Sequence, residues 1–164
     1  MANYLKISVG ILFILCASRF IPHPPNFTSV IALSFYVPAL LGRKFIPILL
    51  ISFVFTDLII GLHKITFYTW GSIVVIGLVA NFLSSTFYKR VLGSVFGAII
   101  FYIISNFGVW TIGSYGYDLK GLIACYIFAI PFFGFTLLST IIYSMIIESI
   151  VKIFKNFNLL KIRY

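Results

Sequence analysis

The amino-acid sequence predicts an all-α membrane protein, a six-transmembrane-helix bundle with both termini on the cytoplasmic side (N-in/C-in), and three observations carry that expectation. The 164 residues are 62% hydrophobic and 9% charged, with a mean hydropathy of +1.14. That leaves too little polar surface to cover a core of this size in water. The apolar residues run on continuously instead of alternating with polar ones, which favours helices over a transmembrane barrel. Finally, lysine and arginine gather on alternate connections, the mark of a chain that crosses a bilayer repeatedly.

Charged or turn-rich borders mark six apolar segments, about 5–20, 28–41, 45–62, 66–87, 91–112 and 121–148. The first follows Lys6 and could be mistaken for a secretory signal. Leu15 before Cys16 is too large for a lipoprotein cleavage site, and Ser18 with Arg19 makes a poor peptidase junction, so a retained helix is expected. The second segment is short for a span, and either stands with little tilt or starts as a partly buried re-entrant loop. Pro38 and Pro47 flank Gly42, Arg43 and Lys44 and predict a tight turn into the third segment.

The third segment carries Asp57 in "FTDLIIGLHK", and the fourth ends near Asn81, Ser84 and Ser85, read as packing polar groups. The fifth holds "GSVFG", where Gly93 and Gly97 suit close helix approach, then Asn106 and Trp110. In the sixth, Pro131 is expected to kink the helix and free the carbonyl near Ile127. Near its end Glu148 and Lys152 stand four apart, the spacing of an ordinary intrahelical ion pair. No soluble domain, linker or repeat is visible, so residues 1–164 read as one integral membrane domain.

The formal charge of +9 is read as topology, and no nucleic-acid partner is expected, because the cations do not form a stripe. Lys6, Arg43, Lys44, Lys89, Arg90, Lys152, Lys155, Lys161 and Arg163 fall on one side of six alternating spans, against Arg19, Lys64 and Lys120 on the other. That bias assigns the first side to the cytoplasm of a bacterial inner membrane. The outward loops "RFIPHPPNFTS", "GLHKITFYTW" and "TIGSYGYDLKG" then hold both histidines, Asp118 and many of the aromatics, while the inward turns are little more than "GRK" and "YKR".

Candidate ligand-binding residues follow from this asymmetry: Arg19, Asn26, Thr28, Asp57, His63, Asn106 and Trp110. A carboxylate at membrane depth costs about 2.5–3.5 kcal/mol on insertion scales and faces a partner or a watery cavity. Asp57 has Arg19, His63 and Lys64 as candidate partners, and a structural ion pair or capped helix end, contact with a ligand, or a proton or cation relay all fit. Arg19 either snorkels to the interface or lies beneath a proline-stiffened loop. Trp110, Tyr115, Tyr117, Tyr68 and Trp70 suit an interfacial belt or a stacking platform. The four hydrogen-bonding sites of Asn106 call for a neighbouring helix or a ligand.

No catalytic spacing or phosphate-binding loop is present, so no enzyme activity and no cofactor are expected. Two imidazoles and Asp57 suit a divalent metal in principle, but His23, His63 and Asp57 lack ligand-type spacing, and no metal site is predicted. Cys16 and Cys125 read as small apolar residues rather than a disulfide or ligand pair.

Taken together, "PPNFTSVIAL", "FTDLIIGLH" and "SNFGVWTIGSYGYDLKGLIACYIFAIPFF" resemble an uncharacterised family of small bacterial inner-membrane proteins. Its pattern is an NFTP-type start to helix two, an SD pair late in helix three, a TNFGVW-type stretch in helix five and a CY…PFF helix six. The matching positions are Asn26, Phe27, Thr28, Asp57, Asn106 to Trp110, Cys125, Tyr126, Pro131 and Phe132; Ser29, Thr56 and Ser105 depart from it. That family is similar in turn to the substrate-binding S components of energy-coupling-factor (ECF) transporters. The resemblance implies six helices, capture of a vitamin or metal ion from outside, and docking of helix one to a transmembrane coupling subunit served by ATPases. Helix one here offers Gly10, Cys16, Ala17 and Ser18 without an Ala-xxx-Ala pattern. The function expected is binding of a small solute, vitamin-like or metal, for uptake, at a pocket open to the periplasm. The alternatives are a non-transporting scaffold or assembly partner in the membrane, or an intramembrane enzyme. Membrane lipids are the partners common to all three.

Overall fold

The structure, a computed structural model, describes the backbone of residues 2–156 and the side chains of residues 4–153. Lys161 and Arg163 of the basic tail lie outside the described residues, as does the side chain of Lys155. The chain folds as six α-helices with no strand among the described residues: α1 (Ala2–Phe20), α2 (Val30–Leu41), α3 (Ile46–Ile60), α4 (Thr66–Val79), α5 (Phe87–Thr111) and α6 (Leu119–Asn156). Short 3-10 turns at Arg43–Phe45 and Ala80–Leu83 lead into α3 and out of α4. Among the described residues three stretches are long and apolar enough to cross a membrane: Thr66–Leu83, Phe87–Thr111 and Leu119–Ile153.

Each apolar segment of the sequence becomes one helix, with boundaries moved by capping groups that hydropathy does not register. Thr86 takes an extended backbone and its hydroxyl accepts from Lys89 N, so α5 starts at Phe87. Asp118 Oδ1 accepts from Gly121 N at 2.8 Å and starts α6 at Leu119. α6 then runs for 38 residues, starting close to the expected 121 and continuing well past the expected end at 148. Pro131 lies inside it without ending it. Nearby, the Tyr102 hydroxyl donates to Tyr126 O at 2.6 Å, the kind of cross-helix bond that stabilises backbone beside a membrane proline.

α2 is the axis of the bundle. Every residue from Val30 to Pro38 is buried, and Phe35 and Tyr36 are among the largest fully buried side chains. At about 1.5 Å per residue, twelve residues reach about 18 Å against an apolar layer of about 30 Å. Ile11, Leu15, Leu49, Phe53, Ile73, Ile76 and Ala98 of the surrounding helices complete the core with it. Gly93 and Gly97 admit these neighbours: a Cβ on Gly93 would overlap the Phe35 ring, and one on Gly97 would stand 3.0 Å from Ile76. The pair packs helices together, as the spacing suggests.

Polar groups turn inward while large apolar ones face out. Ser34, Ser52, Ser72 and Thr140 are buried and return their hydroxyls to carbonyls of their own helices. Phe13, Phe55, Phe96, Ile103 and Phe128 are exposed. An outer surface of this kind is suited to lipid.

One end of the bundle collects the basic turns. The Tyr4 ring stacks on Phe45, and its hydroxyl approaches Lys44 O at 3.4 Å. Arg43 donates through Nη2 to Leu78 O at 3.2 Å, closing the end of α4. Oriented to suit its neighbours, the Asn81 amide donates to Pro38 O at 3.1 Å and accepts from Arg43 Nε at 2.9 Å. Asn81 thus packs, as expected.

Glu148 corrects the sequence expectation. It pairs with Arg90 of α5 instead of Lys152, Nε to Oε1 at 2.6 Å and Nη2 to Oε2 at 2.8 Å. Arg90 is only 4% exposed and also donates from Nη1 to Ser84 O, so it is more than a mark of topology. Glu148 shares the inward stripe of Thr136, Thr140 and Ser144, each four residues apart, whereas Lys152, one turn further on, is exposed. Ser144 bonds Ser94 of α5 at 2.8 Å one turn away. The Tyr36 hydroxyl is buried near Glu148 and Ser144 without a hydrogen bond of good geometry.

Glu148→Ala is expected to destabilise the fold by about 3–5 kcal/mol by stranding a buried guanidinium, and Lys152→Ala to change stability by less than about 0.5 kcal/mol. Reversible unfolding in mixed micelles measures both, and equal effects would restore the intrahelical pair. Gly93→Ala should cost about 1–3 kcal/mol through overpacking on Phe35, read in the same assay.

Candidate functional site

At the end of the bundle opposite the basic turns, α1, α3 and α4 meet around a buried carboxylate. Asp57, 3% exposed, receives Arg19 Nη1 on Oδ1 at 2.6 Å and Trp70 Nε1 on Oδ2 at 2.7 Å. The same Arg19 nitrogen donates to Thr56 Oγ1 at 2.6 Å and approaches Phe53 O at 3.5 Å, while its guanidinium lies 4.4 Å from the Phe53 ring centre. Of the three partners the sequence offered Asp57, it takes Arg19. His63 instead holds Thr66 at the start of α4, with Nδ1 2.5 Å from Oγ1. Trp70 looks like an interfacial aromatic by position, but its indole completes the Asp57 shell.

Beside this network lies a cavity of about 410 Å³, within the size range of small-molecule pockets. Arg19, Asn26, Thr28, His63 and Asn106, five of the seven candidates, line it; Asp57 and Trp110 do not. Asp57 stands one layer behind, facing Arg19 and Trp70. Trp110 ties the end of α5 to the next turn, its indole N–H donating to Asp118 O at 3.2 Å.

The roof of the cavity is the connection from α1 to α2. Phe27 N donates to Pro24 O at 3.0 Å, and Asn26 has φ +62°. Proline followed by a residue of positive φ is the sequence signature of a type II turn, and asparagine tolerates that backbone better than most residues. Ser18 Oγ and Ser29 Oγ, 2.7 Å apart, tie the end of α1 to the start of α2. The floor is the start of α2 itself, with Val30 and Ile31.

The walls come from one face of each long helix. Phe101, Tyr102, Ser105 and Asn106 of α5 and Ala129, Phe132, Phe133 and Thr136 of α6 contribute, together with Thr69 of α4. Residues such as Tyr102, Ser105, Thr136 and Thr69 escape a search for isolated polar groups. Their signal is helical phase: 101, 102, 105 and 106 share one face, as do 129, 132, 133 and 136. Asn106, 9% exposed, donates from Nδ2 to Tyr102 O of its own helix at 2.8 Å and makes no bond to another helix among the described residues. Its Oδ1 is thereby left as an acceptor.

Among the described residues no three of His, Cys, Asp and Glu gather where they could hold a metal ion. Cys16 and Cys125 are free thiols, Cys125 buried. What the cavity offers is a set of hydroxyl, amide and imidazole groups, aromatic faces and one guanidinium already matched by a carboxylate.

Asp57→Ala is expected to lower stability by about 2–4 kcal/mol, because Arg19 keeps its charge in a partly buried setting without a counter-ion. The double variant Arg19→Met with Asp57→Leu should recover most of that loss. Unfolding of the three proteins side by side in detergent checks the coupling, and additive losses would mean the pair is not a unit.

No curated protein and no solved structure matches this chain. One family model does, over residues 2–160, and it is described as a family of unknown function. Since the match takes in all six helices and every residue of the cavity, the protein belongs to that family, DUF6580.

Proposed function

We propose that this protein binds a small solute, vitamin-like or metal, at the cavity and takes part in its uptake across a bacterial inner membrane. The observation that carries the proposal is the convergence of Arg19, Asn26, Thr28, His63 and Asn106 on one cavity of about 410 Å³, at the end of the bundle away from the basic turns. Under the positive-inside rule the turns with Arg43, Lys44 and Lys89 face the cytoplasm, which opens the cavity to the periplasm. Six crossings are part of the proposal, with α2 held in the core and the shorter α1 and α3 spanning with help from their flanking turns. The resemblance to ECF S components supports a binding role energised by a separate coupling subunit and ATPases, since the chain carries no ATP-binding loop of its own. Binding without catalysis fits the inventory of the walls, since Asp57 stands behind them and is already committed to Arg19 and Trp70.

A second reading rests on that same commitment. If Arg19, Asp57 and Trp70 serve only to hold α1, α3 and α4 together, the protein is a membrane scaffold with a by-product cavity. The two are separated by thermal unfolding of the purified protein against vitamins, their precursors and divalent metals. A ligand at a hundred times its Kd is expected to raise Tm by roughly 5–10 °C, and Asn106→Leu should abolish that shift and the matching uptake into cells. Absence of any stabilising solute, with uptake indifferent to Asn106→Leu, favours the scaffold.

A further inference from the structure

Arg90 and Arg19 use their guanidinium groups differently, and the difference bears on what the cavity selects. Arg90 commits all three nitrogens, Nε and Nη2 to the two oxygens of Glu148 and Nη1 to Ser84 O. Arg19 commits one. Its Nη1 serves Asp57, Thr56 and Phe53 O, while Nε and Nη2 have no hydrogen-bond partner among the described residues. Those two nitrogens form the edge that presents parallel donors, the edge Arg90 gives to Glu148. Arg19 belongs to the cavity wall, and stacking on Phe53 fixes the plane of the group.

Charge decides which acceptor suits that edge. Asp57 already neutralises Arg19 at 2.6 Å, and the other polar groups of the wall are hydroxyls, amides and imidazoles. An anion bound to the edge would stand close to the Asp57 carboxylate and leave an uncompensated charge among Phe53, Phe101, Phe132 and Phe133. A cation would face Arg19. Either would give up its hydration without a counter-ion in return. A carbonyl oxygen accepts from Arg19 without that loss. At Asn106, Nδ2 is engaged with Tyr102 O and Oδ1 remains, so the complementary ligand group there is an N–H or O–H donor.

Resting on the solute-binding reading above, we infer that the cavity selects an uncharged, flat molecule that offers a carbonyl-type acceptor to the Nε and Nη2 edge of Arg19 and a donor to Asn106 Oδ1. The test is calorimetric titration of the full chain in lipid nanodiscs, with empty discs as control, using three probes that share one ring: indole-3-acetamide, indole-3-acetate and tryptamine. At pH 8 the uncharged amide is expected to bind at least tenfold more tightly than either charged probe. Arg19→Lys keeps a cation opposite Asp57 but lacks the two-donor edge, and should weaken amide binding at least tenfold. Asn106→Asp adds one negative charge at constant size and should move the preference to tryptamine, which decides the matter even where Arg19→Lys fails to fold. A charged probe binding the wild type as tightly as the amide overturns the inference and leaves solute binding standing, as does an Arg19→Lys protein with undiminished affinity for the amide. If no probe binds while the solute screen yields a ligand, this inference alone falls; if that screen is empty too, the reading beneath it falls with it.

Discussion

The structure depends on the length of α2. A twelve-residue helix buried along nearly its whole extent can centre the bundle but cannot fill it from end to end. At the basic end the shortfall is closed by the turn at Gly42, by Arg43 on the end of α4 and by Asn81 against Pro38. At the other end it is closed by a loop over a hole. The cavity therefore needs no separate device to create it: it is the volume a longer central helix would occupy, walled by helices that continue past the start of α2.

What surrounds that axis is compatible with a membrane setting, with three stretches among the described residues long and apolar enough to cross one. In lipid the apolar side chains gain little by turning inward, so cohesion comes from close packing and from hydrogen bonds between helices. Glycines admit aromatic and branched neighbours, and serines and threonines settle on backbone carbonyls. Among the described residues two ion pairs clamp the bundle, one near each end, and they differ in completeness. The pair of Arg90 and Glu148 is bidentate and closed. That of Arg19 and Asp57 is made through a single nitrogen, and Trp70 takes the second carboxylate oxygen. A buried pair is weak evidence for net stability but strong evidence that the partners are placed together.

Much of this was legible in the sequence. Six apolar runs gave six helices because continuous apolar stretches bounded by charged or turn residues favour one helix each. The gathering of Arg19, Asn26, Thr28, His63 and Asn106 followed from sidedness alone, since alternating segments bring every second connection to one end. Side-chain pairing was less accessible. Spacing offered Lys152 to Glu148, but spacing cannot show that Glu148 lies on the inward face and meets Arg90, 58 residues away. Trp70 likewise carried the marks of an interfacial aromatic, and only its position opposite α3 turned it toward Asp57. Helix ends moved where Thr86 and Asp118 act as caps, a local hydrogen-bond effect that hydropathy does not record.

The contact between Gly93 and Phe35 has a consequence for how such a chain can change over generations. Outside, one greasy residue serves about as well as another, so Phe13 or Ile103 is free to drift. Inside, a single added methyl group meets an aromatic ring with nowhere to go. The positions least able to accept a larger side chain are therefore among the smallest residues, such as Gly93 and Gly97 where helices touch.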